Sequence, residues 1–390
     1  MGMTRILHTL VPLAAAAAVL SALTGCAPVH GHHSPSGSPS TPSALVTGRA
    51  ADTAEPQPAL DIDCARLVDP AALAAAFPAG VRSVDPLVTQ GEFGPNIEDG
   101  IMLQAAGGIS CEWNNGLPFS EGAEDPSRYA GLRLSVLPRA TSQWALYDAE
   151  RGATGEGFQC YTAAPPPLIC SSEQLIGTTW VSMTLENVGG QSEARSLATS
   201  INSVVAAARP GAARWTPPSG TKTFGECTQL LTPSQVAGDL GVTAVPMQLN
   251  AEPAGGWSIE AAARAQVDAI GCLFQYPDND SIVGEVNWLR GGAWAYDRGI
   301  AAVGVGWGTP APTSIASLAS GDRAELGCTD PSLGDEESAN ICTVDLLLGG
   351  NWIQVIIEPS NLDDYVTVDV RTAALAVAGQ LVSAFNAHAH

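Results

Sequence analysis

The sequence predicts an α+β fold in two tandem repeats, each an antiparallel β-sheet packed with helices and stapled by two disulfides. Three observations predict it. The chain has 390 residues, enough for two domains of ordinary size. Motifs of its first half recur in its second half at nearly constant offsets. Its nine cysteines divide into one plus two sets of four.

Residues 1–25 read as an export leader. Arg5 lies in a short n-region, and an apolar run extends from Leu10 to Leu23. A membrane-spanning helix needs about 20 apolar residues, more than this run supplies, so a cleaved signal is expected. The run ends in Leu23-Thr24-Gly25-Cys26, which resembles the lipobox of bacterial lipoproteins. That resemblance implies cleavage before Cys26 and attachment of diacylglycerol to its thiol. Two acyl chains anchor stably where one holds only marginally, so the expected address is the outer face of the cell membrane. Residues 26–60 then form the lipidated cysteine and a Ser/Pro tether, typified by His30-Gly-His32-His33-Ser34-Pro35-Ser36-Gly37. Such a composition buries no core.

The first repeat spans 61–208, the linker 209–222 and the second repeat 223–387. Cys64-Ala-Arg-Leu67-Val68-Asp69-Pro70 matches Cys227-Thr-Gln-Leu230-Leu231-Thr232-Pro233, an offset of 163 (227 against 64). Asp69 and Thr232 have the character of helix N-caps, and Pro70 and Pro233 suit the first helical position. Ile109-Ser-Cys111-Glu-Trp113 matches Ile270-Gly-Cys272-Leu-Phe274. Trp144-Ala-Leu-Tyr147-Asp148 resembles Trp294-Ala-Tyr296-Asp297. Finally Cys170, Gly177, Trp180 and Glu186 match Cys342, Gly349, Trp352 and Glu358, each displaced by 172 (342 against 170). The segments around Gly177 and Gly349 read strand, tight turn, strand. Each repeat closes with an apolar-periodic helix, Glu193 to Ala208 and Val370 to Phe385.

Setting Cys26 aside leaves eight cysteines, and an even set outside the cytoplasm points to disulfides. If each repeat folds alone, its four cysteines pair internally, which leaves three choices per repeat. The short separations suit local clips Cys160–Cys170 and Cys328–Cys342. Cys64–Cys111 and Cys227–Cys272 then tie the first helix of each repeat to its sheet. A Cys-ligated metal competes, but no Cys-x-x-Cys pair occurs.

A Cys-x-x-Leu-[Val/Leu]-[Asp/Thr]-Pro helix, followed about 45 residues on by Cys-x-[Trp/Phe], behind a lipobox and a Ser/Pro tether, resembles an uncharacterised actinobacterial lipoprotein domain family. The resemblance implies an exported binding-type module and carries no activity to any residue. The family's domain is usually single, whereas this chain carries it twice.

The composition excludes several function classes. The formal charge is −22, from 17 basic and 39 acidic residues. Such a surface repels nucleic acid and anionic lipid heads. All six histidines lie outside residues 34–387, so the folded part has no imidazole for a Ser-His-Asp or Cys-His pair or for a histidine-bound zinc. The one lysine, Lys222, lies in the linker, so lysine-based nucleophilic mechanisms lack their base. Carboxylates remain. Glu173 and Asp345 are equivalent, as are Glu186 and Glu358, but acids repeated in two domains reflect shared ancestry more readily than a glycosidase pair. Gly304-Val-Gly306-Trp307-Gly308 lacks dinucleotide-loop spacing. Asp278-Asn279-Asp280 and Asp335-Glu336-Glu337 lack calcium-loop spacing. The His30, His32 and His33 cluster sits on a tether, a poorly preorganised metal site, even if His388 and His390 assist. No cofactor or metal is expected.

Trp113, Trp180 and Trp352 fall at strand-like, repeat-equivalent positions and suit the core. Trp144 and Trp294, together with Arg139 and Arg290, form the candidate groove for a sugar or peptide. The competing reading packs the two tryptophans on the sheet. The function expected is a non-catalytic, membrane-anchored module that binds a ligand or partner of the cell envelope. The alternatives are a solute-binding receptor for a transporter, a carboxylate-only envelope hydrolase, and a structural or inhibitory partner of another envelope protein.

Overall fold

A computed structural model of the chain describes residues 55–87, 97, 100–117, 128–151, 157–162, 167–242, 247–251, 258–275, 282–302, 307–329, 341–358 and 368–388. The leader, Cys26 and the histidine cluster lie outside the described residues, as do Asp278–Asp280, Gly304–Gly306 and Asp335–Glu337.

The first repeat begins with two short helices, α1 (Cys64–Leu67) and α2 (Pro70–Ala76). The Asp63 and Asp69 carboxylates accept from the backbone N–H groups of Arg66 and Ala72, and Pro70 occupies the first turn of α2. There an imino acid loses nothing, because that N–H has no intrahelical partner. Next come β1 (Arg82–Val84), α3 (Gly100–Ala105), β2 (Ile109–Asn114), β3 (Gly131–Leu137), α4 (Thr141–Arg151), β4 (Phe158–Thr162), β5 (Leu168–Ile176), β6 (Thr179–Glu186) and α5 (Gln191–Ala207). The strands form an antiparallel sheet in the order β1-β2-β3-β6-β5-β4.

The second repeat follows the same plan. A 3₁₀ turn at Cys227–Gln229 replaces the first short helix, and α6 (Pro233–Asp239) follows. Thr232 caps α6 through a reciprocal box with Gln235. Then come β7 (Gln248–Ala251), α7 (Ile259–Gln266), β8 (Ile270–Gln275), β9 (Ile282–Leu289), α8 (Ala293–Ala301), β10 (Ala311–Pro312), β11 (Arg323–Cys328), β12 (Cys342–Leu348), β13 (Asn351–Ile357) and α9 (Val370–Ala387). The sheet order is β7-β8-β9-β13-β12-β11-β10, the order of the first sheet with β10 added at one edge. Even the register repeats: Leu137 pairs with Trp180 and Leu289 with Trp352. The β5–β6 and β12–β13 turns pass through Gly177 and Gly349 at φ +63° and +54°, a left-handed backbone that glycine adopts without a Cβ clash.

Each sheet buries one face under its own helices. In the first repeat, Cys111, Leu132, Leu134, Val181, Met183 and Leu185 pack against α1, α2 and α5. Helix α5 presents Ala194, Leu197, Ala198, Ile201 and Val205, a single apolar stripe at helical spacing. In the second, Val286, Trp288, Val344, Leu346, Ile353 and Val355 pack against α6 and α9. Four disulfides staple these layers: Cys64–Cys111, Cys160–Cys170, Cys227–Cys272 and Cys328–Cys342. The helix-to-strand bridges of the two repeats have the same Cα separation, 5.7 Å. The other two join directly opposed residues of adjacent strands.

The repeats are not independent bodies. A third core draws on both, with Ile101, Met102, Leu137, Tyr147 and Trp180 from the first and Ile259, Ala262, Leu289, Tyr296 and Trp352 from the second. Helix α7 of the second repeat packs on α3 and on strands β3 and β6 of the first. Residues 48–390 accordingly form one compact unit. The linker is tied in as well. Gly211 donates its N–H to Ala59, and Lys222 donates to the carbonyls of Phe385 and His388 at 2.7 and 2.9 Å. That lysine caps the carbonyl end of α9, where a cation complements the helix dipole. Among the described residues no helix is long and apolar enough to cross a membrane.

Candidate functional site

The second face of each sheet, turned away from the repeat's own closing helix, carries the polar chemistry. Its centre is the same in both repeats. In the first, Glu173 on β5 stands opposite Ser182 on β6. Its two carboxylate oxygens accept from the Trp180 indole N–H and the Ser182 hydroxyl, both at 2.6 Å. In the second, Asp345 on β12 stands opposite Gln354 on β13. Its Oδ1 accepts from the Trp352 indole at 2.8 Å and from the Gln354 amide at 2.9 Å. Antiparallel pairing forces this arrangement. Directly opposed residues share a face, and so does the residue two positions along. An acid followed by tryptophan at +7 and a polar residue at +9 across a tight turn therefore places all three side chains together.

The two centres differ in burial. Glu173 is half-buried, whereas Asp345, Trp352 and Gln354 are sealed from solvent, each 0% exposed. The Oδ2 of Asp345 meets no hydrogen-bond donor. Burial raises the Asp345 pKa to about 7, and the charge of Glu325 pushes the same way, against the two N–H donors that lower it. The Tyr296 hydroxyl donates to the Asp345 carbonyl at 3.0 Å. Burial, followed by the Asp345 charge, holds that phenol above its ordinary range. Helix α8 lies directly on this centre: a Cβ at Gly299 would come within 2.0 Å of the Trp352 ring. The first repeat reaches this centre through Ile97, whose backbone N–H donates to Gln354 Oε1 over a long 3.5 Å.

A second polar cluster lies farther along the first sheet. Tyr129 and Asn114 both donate to the buried Glu112, at 3.2 and 3.0 Å. Arg133, which stands opposite Glu112, pairs with Glu186 at 3.0 Å. Burial, then the Glu112 charge, raises the Tyr129 pKa above the usual phenol range.

A cleft of about 170 Å³ opens where the repeats meet, lined by Pro58, Pro86, Leu87, Gln104, Ser110 and Arg298. Arg298, from the second repeat, reaches Gln104 at 3.3 Å and the carboxylates of Glu55 and Asp85 at 3.8 and 3.6 Å. These rim charges pair with one another across the seam.

The four candidate groove residues are placed separately. Trp144 packs edge-on against Trp180 at 5.2 Å and contacts Tyr147 at 5.3 Å. Trp294 instead meets Trp215 of the linker at 6.5 Å, and its indole N–H has no acceptor. One residue explains the divergence. Tyr147 and Tyr296 both pack on their repeat's central tryptophan, at 4.7 Å on Trp180 and 5.7 Å on Trp352. Trp144 precedes its tyrosine by three positions and Trp294 by two, a difference of about 100° around a helix. Arg139 turns through a left-handed backbone at φ +59° and donates to the Ala106 carbonyl at 2.9 Å. Arg290 donates to the Thr221 hydroxyl at 2.9 Å. None of the four lines the cleft.

Gln354, Ser182 and Ile97 escaped the sequence reading. The first two were recoverable, because they share the 172-residue offset of the acid and the tryptophan. Ile97 was not, since its contact crosses between repeats. Among the described residues, no three His, Cys, Asp or Glu side chains converge to hold a metal ion.

No protein-family model matches the chain, and no curated protein matches it. Among solved structures, the chain is similar to the crystal structure of the di-domain ARO/CYC StfQ from the steffimycin biosynthetic pathway, over 78% of this chain and 96% of that one. The identity is 9% and the TM-score 0.16, a likeness too slight to carry an argument about fold or activity.

Proposed function

We propose that the chain is a lipid-anchored protein of the outer face of the cell membrane, belonging to the uncharacterised actinobacterial lipoprotein domain family, and that its two-repeat body is a non-catalytic module binding a ligand or protein partner of the envelope. One observation carries the second part. Residues 34–387 hold no histidine, the His388 ring packs on Phe224 at the end of α9, and the repeated acids Glu173 and Asp345 are held by indole, hydroxyl and amide donors of their own sheets. Acids engaged in this way serve packing and leave no free base beside a nucleophile. The seam cleft, where Gln104, Ser110 and Arg298 stand beside Pro58, Pro86 and Leu87, is the candidate contact for a ligand. Two antiparallel sheets speak against a transporter's solute receptor, which is normally built from two lobes with parallel sheets.

Two measurements test the reading. In the producing cell, the full chain is expected to partition into the detergent phase of a Triton X-114 extract, and its Cys26→Ala variant into the aqueous phase. The exported body is expected to turn over no ester, amide or glycoside substrate. Turnover that disappears on Glu173→Gln or Asp345→Asn substitution would replace the binding module with a carboxylate hydrolase.

A further inference from the structure

We propose that the joint between the two repeats is a proton-operated latch: it closes with a proton on the Asp345 carboxyl and loosens as that proton is lost. Asp345 is 0% exposed, and every donor to its carboxyl reaches the same oxygen, Oδ1. Oδ2 faces no donor. A carboxylate charge left there, away from water and unpaired, is strongly unfavourable, whereas a neutral carboxyl carrying its proton on Oδ2 is tolerated.

The charged surroundings give the ion no relief. On the neighbouring β11, Glu325 stands directly opposite Asp345 and adds a like charge. Arg323, on the same strand, is taken up by Asp297 of α8 and lies over the Tyr296 ring. On α8, Arg298 is held across the seam by Glu55 and Asp85, and Tyr296 is neutral. On β9, Glu285 accepts from Asn287. β13 sets only Trp352 and Gln354 against the group, and α3 (Gly-Ile-Met-Leu-Gln-Ala) carries no ionisable residue. Among the described residues, no cation on these elements pairs with Asp345.

The group is also wired to the joint. Gln354 gives its amide N–H to Asp345 and receives the Ile97 N–H of the other repeat on its carbonyl oxygen. Water that hydrates an ionised Asp345 competes for the Gln354 amide, and a Gln354 side chain that turns with it gives up the Ile97 N–H. The equivalent centre in the first repeat lacks the device, because both oxygens of Glu173 have donors. Burial raises the Asp345 pKa from the ordinary carboxylate range to about 7, which sets the direction. Opening favours the ionised form, so the open population grows about tenfold per pH unit from near 4 until the closed form itself ionises near 7.

Amide hydrogen exchange of the exported full-length body, followed by mass spectrometry from pH 4.5 to 8 and corrected for intrinsic rates, tests this. Protection in peptides covering 97–105 and 343–356 is expected to fall about tenfold per pH unit at first and to level off near neutrality. Protection in α5 is expected to stay constant. Asp345→Asn, which sets a permanent donor where Oδ2 stood, is expected to make the profile flat. Glu325→Gln alters a half-buried position and keeps the fold, and it is expected to move the levelling point to lower pH. A flat wild-type profile overturns the proposal, as does a levelling point that Glu325→Gln leaves in place or an Asp345→Asn variant that titrates like the wild type.

Discussion

Trp352 and Asp345 lie seven residues apart on adjacent strands, and the indole N–H of the first reaches the carboxyl of the second at 2.8 Å with both side chains wholly buried. Trp180 and Glu173 repeat the pairing at 2.6 Å in the other half of the chain, but there the acid is half-exposed. The same two residues therefore carry different energetic weight in the two repeats.

Replacing each tryptophan by phenylalanine measures that difference. Trp352→Phe removes a donor from a buried acceptor that no water can serve, and is expected to cost about 1–3 kcal/mol. Trp180→Phe leaves Glu173 with its Ser182 bond and access to solvent, and is expected to cost about 0.5–1.5 kcal/mol. Urea denaturation of both variants checks the order. Equal losses would mean that the donors are interchangeable with water in both repeats.

The pH dependence of stability follows from the raised pKa of Asp345. Between the unfolded value near 3.9 and the folded value of about 7, the folded chain keeps a proton that the unfolded chain gives up. The contribution of this group is therefore fully present below the lower value and declines as pH rises to the upper one. Asp345→Asn is expected to remove a decline on the order of a few kcal/mol across that window. The check is the difference between wild-type and variant denaturation midpoints at pH 4.5, 6 and 7.5. A constant difference would place the titration elsewhere.

Two glycine substitutions separate close packing from helix propensity. Gly299→Ala pushes a methyl group against the Trp352 ring, 2.0 Å away, and is expected to destabilise by about 1–3 kcal/mol. Gly238→Ala, within α6, meets nothing within 4 Å and is expected to stabilise by about 0.5–1 kcal/mol. Thermal melts of the two variants should move in opposite directions.

The helix-to-strand disulfides span 47 and 45 residues. Their contribution through the unfolded chain depends only weakly on such a difference. Replacing both cysteines of either bridge by serine is expected to cost about 2–4 kcal/mol, with the two losses alike to within about 0.5 kcal/mol. A much larger loss from Cys227/Cys272 would show that the second repeat, which holds a 3₁₀ turn in place of a first helix, leans more heavily on its bridge.

Much of the fold was legible along the chain because its causes are local. Asp69-Pro70 and Thr232-Pro233 start helices by side-chain capping and a preset φ, both decided within four residues. Gly177 and Gly349 mark hairpin turns because few other residues take a left-handed backbone. The cysteine pairing came from the repeat and from loop length. The groove of Trp144, Trp294, Arg139 and Arg290 was a different matter. It assumed that similar words occupy similar places, and one residue fewer between Trp294 and Tyr296 turns that indole toward Trp215. Arg139 in turn occupies the left-handed position that Gly291 fills in the second repeat, at φ +59° and +68°.

By itself, then, the sequence determined two antiparallel sheets, their helices and their bridges, since propensity, periodicity and composition act over short stretches or over the whole chain. Only the tertiary structure decided that the repeats share a third core, that α7 of the second lies on the sheet of the first, and that Asp345 is sealed while Glu173 is not. Burial depends on what packs over a residue from a distant part of the chain. Gln354, which holds Asp345, takes the backbone N–H of Ile97 from 257 residues earlier in the chain, and no local pattern around either residue records the other.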